Sequence, residues 1–187
     1  MKNIVIIIIV LALAGIFGYA AMGPATFSVQ RSIFIKASPE KIHPFINDFH
    51  NWPAWSPYEK MAPVTKRDYV GPLSGKGSMV NWISSNGWEG QMSIEESSPE
   101  KIVVQQVSSK PMRAKNITEF LLKKRDNDST EVVMSLSMDN TYMSKLLGIF
   151  MSREKMMGKV FETGLAALKE TVEKAPVAVP APKKGKK

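Results

Sequence analysis

The chain has 187 residues, 44% of them hydrophobic, a length that fits one globular domain with appendages. It contains no cysteine, which excludes disulfides, thiolate nucleophiles and cysteine-based metal sites. The net charge is +8, but five lysines from residue 174 onward contribute +5, so the rest carries +3 (20 basic minus 17 acidic residues). This near balance argues against nucleic-acid binding, because a protein that binds nucleic acid needs a concentrated basic surface.

The N-terminal segment is long and apolar enough to cross a membrane. Residues 4–22 contain no charged side chain, and a membrane-spanning helix needs about 20 apolar residues. The alternative is a cleaved signal peptide, whose apolar core is usually about 7–15 residues long. We expect residues 1–25 to form an uncleaved single-pass membrane anchor and a linker. Because a very short N-terminal flank before a large domain is typical of a signal-anchor, we expect the domain on the extracytoplasmic side.

A strand, a short helix and an aromatic segment open the domain. Residues 27–36 alternate between apolar and polar side chains, which predicts a half-buried strand with Arg31 on its apolar side. Pro39 suits the first turn of a helix, and Pro44 predicts that this helix is kinked or broken into two short pieces. Residues 51–60 hold two tryptophans, two prolines and a tyrosine. That composition excludes a regular strand and predicts a stiff loop held by buried rings.

Strand-like segments joined by short turns follow this loop. The Asn-Gly pair at residues 86–87 is a strong hairpin signal. Consecutive strands with short turns predict an antiparallel meander. The predicted strands are residues 64–70, 78–83, 87–95, 101–107, 112–123 and 130–138.

From residue 141 to about residue 173 the apolar period becomes that of an α-helix, with an interruption at Glu154 and glycines that make one continuous helix less certain. Only this helix is long enough to cover the apolar face of the sheet. The sequence therefore predicts an α+β domain at residues 26–174. In it, a curved antiparallel sheet of six to seven strands surrounds a long C-terminal helix. The Pro/Ala/Lys-rich residues 175–187 predict a disordered tail.

Little in the sequence looks catalytic. The two histidines, His43 and His50, belong to no metal-ligand or carboxylate motif, and no glycine-rich loop precedes a helix. We therefore predict no catalytic residue, no metal and no cofactor.

The better candidates are residues that would line a cavity between sheet and helix. They comprise the tryptophans, methionines that suit irregular apolar ligands, and polar residues on otherwise apolar faces. For each, the alternative is a place in the core or in a structural hydrogen bond. We expect the cavity to open near Arg31, Trp55 and Asn116, since Gly90 and Ala114 leave space and the aromatic loop would act as a lid. The candidates are Arg31, Trp52, Trp55, Trp82, Trp88, Met92, Asn116, Thr118, Met134, Phe150 and Met157.

Together with this order of elements, four motifs resemble those of a known superfamily over roughly residues 27–173. They are Val29-x-Arg31-Ser32-Ile33, Trp52-x-x-Trp55-Ser56-Pro57, Gly71-Pro72-x-Ser74-Gly75-x-Gly77 and Asn116-x-Thr118-Glu119-Phe120. The chain resembles the polyketide cyclase/dehydrase branch of the START-like (helix-grip, SRPBCC) superfamily. This resemblance implies a cavity between sheet and helix that binds hydrophobic small molecules. Some relatives cyclise polyketides, some carry lipids or quinones, and others assist chaperones. No catalytic residue is common to them all.

Three functions compete. The anchor, the aromatic and methionine-rich residues and the missing catalytic set favour a membrane-anchored binding or carrier domain for a hydrophobic small molecule or lipid. A polyketide cyclase/dehydratase-like enzyme is the alternative, and a strongly perturbed buried acid or base would favour it. A chaperone-associated interaction module is the third, and a solid core beside a large exposed apolar patch would favour that.

Overall fold

The computed structural model describes residues 2–110, 113–126 and 128–176. The predicted tail from residue 177 onward and the first residue of the strand predicted at 112–123 lie outside the described residues. The elements in chain order are α1 (Lys2–Met22), β1 (Thr26–Ile35), α2 (Pro39–Asn47), a 3-10 helix (Phe49–Ala54), α3 (Pro57–Met61), β2 (Val64–Val70), β3 (Met79–Ser84), β4 (Glu89–Ser97), β5 (Lys101–Lys110), β6 (Ala114–Asp126), β7 (Ser129–Asp139), α4 (Tyr142–Phe150) and α5 (Arg153–Lys174).

The seven strands form one antiparallel sheet in the order β1-β7-β6-β5-β4-β3-β2. Strands β2 to β7 are neighbours in sequence, as the short turns predict, and β1 closes the sheet by pairing with β7. Directly opposed residues lie on the same face, so Arg31, Met134, Phe120 and Ile102 share one row across β1, β7, β6 and β5. We call this the inner face, because α5 and the aromatic segment cover it.

Helix α5 supplies the largest part of the core opposite the sheet. Phe161, Leu165, Leu168 and Val172 are spaced four, three and four residues apart and are almost completely buried, as the helical period requires. They pack with the inner-face residues of the sheet and with Ile42 of α2 in one continuous core. The predicted class is confirmed: an α+β domain in which an antiparallel sheet surrounds the C-terminal helix.

The predicted C-terminal helix is two helices. Helix α4 ends at Phe150, and α5 starts after Ser152, whose side chain accepts a hydrogen bond from the Lys155 amide as an N-cap. Helix α4 has no buried residue and packs mainly against α1. The helix break predicted at Pro44 is also displaced, because α2 runs through this residue to Asn47 before the 3-10 helix begins.

Helix α1 is long and apolar enough to cross a membrane by length and composition, and a signal sequence at an N-terminus meets the same criteria. Only Ala20 of its residues is buried. The chain then needs just three residues, 23–25, to reach β1. The base of the sheet at β1 is therefore held close to the end of α1.

Arg31 joins β1 to α5. Its Nε donates to Glu162 Oε1 at 2.7 Å, its Nη2 donates to Glu154 Oε1 at 2.7 Å, and its Nη1 donates to the Gln30 carbonyl at 2.8 Å. Between the two glutamates lies Gly158, where a Cβ would overlap the guanidinium group. The hydrogen bonds from both carboxylates raise the pKa of Arg31. Thus the glutamate that interrupts the apolar stripe in the sequence is one half of this ion-pair cluster.

We predict that Gly158→Ala lowers the free energy of unfolding by about 1–3 kcal/mol, the usual cost of overpacking, because the guanidinium must leave its place. Gly148→Ala in α4 is the control: only the Arg153 side chain lies within 4.0 Å of the added Cβ. There the change removes the entropic penalty of a helical glycine and stabilises by about 0.5–1 kcal/mol. Denaturant unfolding measures both effects.

In an Arg31→Ala background the guanidinium is absent, so the cost of Gly158→Ala should disappear. An equal cost in both backgrounds would mean that the close approach is not to Arg31. The double-mutant cycle thus isolates this single contact.

Candidate ligand-binding site

The inner face is not covered along its whole length. In the rows at its middle, Val104 and Thr118 and then Ile102 and Phe120 are buried. Towards the ends of the β3–β4 and β5–β6 hairpins the face becomes half-buried and more polar. We call two rows there the open end: Met92, Gln106 and Asn116 in one, and Trp82, Gly90, Ser108 and Ala114 in the other.

Two polar atoms at the open end are buried without a hydrogen-bond partner. They are the indole Nε1 of Trp82, a donor, and the amide Oδ1 of Asn116, an acceptor. Buried polar groups are nearly always paired, and an unpaired one calls for an explanation. The strands that carry them, β3 and β6, are three strand spacings apart, about 14 Å. The open end therefore offers one unpaired donor and one unpaired acceptor beside the apolar Met92 and the uncharged polar residues Gln106 and Ser108.

Gly90 is not an empty place, although the sequence suggested space there. A Cβ at this position would lie 2.8 Å from Cζ2 of Trp82 and would also meet the Val107 backbone. The pairing of β4 with β5 shifts register at this point, as a β-bulge does. The glycine therefore lets the Trp82 ring lie across β4, which brings the indole towards Asn116.

Trp52 and Trp55 belong to the core and do not form a lid. Trp52 Nε1 donates to the Ile46 carbonyl at 2.9 Å, and Trp55 Nε1 donates to the Phe45 carbonyl at 2.8 Å. Their ring centroids lie 5.0 Å apart, and each ring meets Phe120 of the sheet edge-on. The aromatic segment thus fills the space between α2 and the sheet, and it forms helices instead of the predicted loop.

The other predicted residues fall into three groups. Thr118 and Met134 are buried in the covered rows, and Arg31 has all its nitrogens engaged. Met92 and Met157 are half-buried against the core. Trp88 and Phe150 were placed in the cavity wrongly, since their exposed fractions are 49% and 71%. Trp88 stands at the turn of the β3–β4 hairpin, and the helix of Phe150 is not the one that covers the sheet.

The cavity expected near Arg31 and Trp55 is filled by these side chains. The clefts that the described residues form lie at the surface instead. One, about 840 Å³, lies between the end of α1, α4 and the start of α5. Two others, about 530 and 360 Å³, lie at the opposite end of the sheet beside the β4–β5 turn.

Tyr58 is a titratable residue with a perturbed pKa that sequence reasoning missed. Pro57 before it lies beneath Gly164 of α5, where a Cβ would come within 2.6 Å of the proline ring. Glu59 after it pairs with Arg67 of β2. Tyr58 is therefore half-buried between α5 and β2, and burial raises the pKa of its hydroxyl to about 12. No pattern in the sequence indicates this, because the enclosure arises only when α3 crosses from α5 to β2.

Among the described residues, no group of three or more histidine, aspartate or glutamate side chains is placed to hold a metal ion. His50 stacks on Tyr69 with ring centroids 3.8 Å apart, and its Nδ1 lies 2.7 Å from Asp48 Oδ1. This contact fastens β2 to the 3-10 helix. His43 also makes a contact within the fold, since its Nε2 lies 3.0 Å from the Ser98 carbonyl oxygen.

The model of one protein family, described as polyketide cyclase / dehydrase and lipid transport, matches residues 26–173. The chain belongs to this family. The match covers nearly everything that follows α1, so the family resemblance of the four motifs is confirmed. Family and fold indicate a ligand-binding domain. None of the curated proteins matches the chain in sequence.

Solved structures share the fold. Norcoclaurine synthase from Thalictrum flavum, in complex with dopamine and hydroxybenzaldehyde, has a TM-score of 0.58 at 13% identity over 81% of this chain and 89% of its own. The protein XoxI from Bacillus cereus has a TM-score of 0.58 at 15% identity over 81% and 97%. A START superfamily protein from Mycobacterium smegmatis has a TM-score of 0.55 at 16% identity over 78% and 97%. Identities this low establish the fold alone.

We predict that Trp55→Ala destabilises the domain more than Trp82→Ala. Removing a buried aromatic ring costs on the order of 3–5 kcal/mol, and Trp55 also anchors the aromatic segment through its indole hydrogen bond. Trp82 is only half-buried, and its indole makes no such bond. Denaturation midpoints of the two variants test this, and equal midpoints would contradict it.

We predict that stability decreases as pH rises from 10.0, the ordinary pKa of tyrosine, to about 12, the pKa of Tyr58 in the fold. In this window the folded state keeps a proton that the unfolded chain has lost, so rising pH favours unfolding. Tyr58→Phe has no such proton, and its free energy of unfolding should fall less steeply with pH. Identical slopes for the two proteins would show that the hydroxyl is hydrated.

Proposed function

We propose that this protein is a membrane-anchored binding or carrier domain for a hydrophobic small molecule or lipid, and that residues 26–174 hold this ligand at the open end. The observation that carries the proposal is the pair of unpaired buried atoms, Trp82 Nε1 and Asn116 Oδ1. They lie on an inner face otherwise formed by Met92 and other half-buried residues. A ligand that accepts one hydrogen bond and donates one would satisfy both atoms.

The residues of the open end indicate which class of ligand would fit. Met92 and the Trp82 ring offer apolar, polarisable contact, whereas Gln106, Ser108 and Asn116 are polar but uncharged. The matching molecule has an apolar body and a small polar group such as a hydroxyl or carbonyl, with no charge. The two polar groups of this molecule should be on the order of 10 Å apart, because Trp82 and Asn116 lie on strands that are three strand spacings apart.

Binding explains the site better than catalysis. Arg31, the charged residue that an enzyme would use, has its charge compensated by Glu154 and Glu162. The pKa of Tyr58 is raised to about 12, which keeps the hydroxyl neutral and far from the pH at which general acid–base catalysis is efficient. Tyr58 is therefore not suited to abstract a proton.

Membrane anchoring by α1 is the second part of the proposal. The helix has the length and composition of a membrane span, and 20 of its 21 residues, all but Ala20, lack burial within the fold. As a signal-anchor, α1 would leave the domain on the extracytoplasmic side. A domain tethered in this way meets lipid-like ligands at the surface of the bilayer.

Asn116→Leu tests the site, because leucine has nearly the same volume and no polar atom. We predict that ligand-free protein becomes more stable by about 1 kcal/mol, since an unpaired buried polar group costs about 1–3 kcal/mol. The same change should weaken ligand binding. Asn81→Leu is the control, because Asn81 Oδ1 already accepts a hydrogen bond from Gln91 Nε2.

Native mass spectrometry of the full-length protein in detergent measures whether a small molecule is bound and gives its mass. Wild type should carry one small molecule, which Ala114→Trp excludes by filling the open end. Lys115→Trp places the same ring on the other face of β6, because neighbouring side chains alternate, and should keep the ligand. Equal occupancy in both variants would rule out binding at the open end.

A further inference from the structure

One apolar surface has no partner in the fold. Met143, Leu147 and Phe150 of α4 are four and three residues apart and therefore form one stripe. Their exposed fractions are 62%, 53% and 71%. Met151, the C-cap residue of α4, and Met156, in the first turn of α5, are also exposed. We call these five residues the α4 patch; monomeric soluble proteins rarely expose a contiguous apolar surface of this kind.

The α4 patch is continuous with α1. The Tyr142 hydroxyl donates to the Phe17 carbonyl of α1 at 3.2 Å, and the Lys145 methylenes lie 3.4 Å from the position of a Cβ on Gly23. Phe17 is five residues from Met22, the last residue of α1, which is about 8 Å along the helix axis. Amphipathic helices at membranes bury their apolar faces by a similar depth, about 5–10 Å.

Basic residues surround the same end of the domain. Lys145 and Arg153 line the cleft of about 840 Å³ beside α1. Arg153 lies over the Phe27 ring at 4.3 Å and donates to Asn140 Oδ1 at 2.8 Å. Arg113 precedes β6 at this end, and Lys115 follows.

None of these four cations has a carboxylate partner among the described residues, and the one unpaired carboxylate of this end is Asp139. The combination of an apolar stripe, flanking cations and the tyrosines Tyr19 and Tyr142 is typical of a surface that rests in the headgroup layer of an anionic membrane.

The register of the sheet places the open end at the same side. Asn116 is paired with Met138, and Met138 is paired with Phe27, the residue beneath Arg153 beside the cleft. Ala114 is the first residue of β6, and Thr26 is the first residue of β1, directly after the linker from α1. The open end of the inner face is therefore at the same end of the sheet as the C-terminal end of α1.

We propose that the α4 patch docks into the headgroup layer of the membrane that α1 spans, so that the open end faces the bilayer and ligand passes between them without crossing water. This proposal rests on the proposed function. The occupant is an anionic bilayer, because the patch continues the surface of α1 and is bordered by cations that have no carboxylate partner among the described residues. A second copy of the chain or a protein partner would match the apolar stripe but not its continuity with α1.

Depth-dependent quenching tests the docking. The chain has no cysteine, so single variants Leu147→Cys and Phe150→Cys can each carry one fluorophore. The full-length protein is reconstituted in vesicles of phosphatidylcholine and phosphatidylglycerol that contain lipids brominated near the headgroup. Both labels should be quenched. Leu73→Cys is the matched control: Leu73 has the same 71% exposure as Phe150, lies in the β2–β3 connection at the opposite end of the sheet, and should not be quenched.

A label at Leu11 in α1, measured in the same vesicles but with lipids brominated near the ends of their acyl chains, separates the possible failures, because Leu11 lies at the middle of the span. If Leu11→Cys is quenched and Phe150→Cys is not, α1 is an anchor but the docking of α4 is overturned. Association of the unquenched protein with a second copy or a partner would then identify a protein as the occupant. If Leu11→Cys is not quenched, both the anchor and the docking fail. A protein that shows both signals but has lost Asn116-dependent ligand binding would retain the docking and contradict the open-end site.

Ligand exchange tests the consequence for function. The double variant Leu147→Asn/Phe150→Asn should slow the transfer of an uncharged, environment-sensitive hydrophobic dye between vesicles by roughly tenfold or more, because burying a single Leu or Phe side chain already corresponds to such a factor. Ligand occupancy in detergent should not change. Leu73→Asn should alter neither. An unchanged transfer rate in the double variant would overturn the link between α4 and the open end.

Discussion

The fold depends on how closely α5 approaches β1. A charged residue on the apolar face of a strand is costly unless its charge is paired, and Arg31 finds its partners only when Glu154 and Glu162 lie on either side of it. That arrangement fixes the position of α5 along its own axis, because Gly158 is the one residue between the two glutamates that leaves room for the guanidinium. Six residues further on, Gly164 lets α5 meet Pro57 of α3 in the same way.

This close packing leaves no space for a ligand at the centre of the described part of the domain. Trp52, Trp55 and Phe120 fill the interior beside α5 as one aromatic cluster. Among the described residues, the buried side-chain polar atoms without a hydrogen-bond partner are at Trp82 and Asn116, where the inner face is only half-buried. A site at the rim of a domain is enclosed on one side alone, so the remaining side must be closed by the ligand itself or by a surface on which the domain rests.

The strands could be predicted from the sequence because their alternation and turns are local signals, and the core face of α5 could be predicted from its period. Asn116 could be singled out because a polar residue on an apolar face is visible in the sequence, and its role in ligand binding stays a prediction. Phe150 was misplaced because periodicity shows that a helix has an apolar stripe but not what covers it. Glu154 looked like an interruption, since its partner Arg31 is 123 residues away. Tyr58 escaped because only tertiary contacts bury it.

The pairing of the first strand with the last has a consequence for biosynthesis. Thr26 of β1 lies opposite Asp139 of β7, and α5, which packs on β1, ends only at Lys174. Such distant contacts are slow to form, and β1 has no neighbour until β7 has left the ribosome. If α1 enters the membrane first, β1 stays at the bilayer surface with an unpaired edge until β7 has been synthesised. Unpaired strand edges of this kind are prone to aggregate, so the chain is most vulnerable before its final helix emerges.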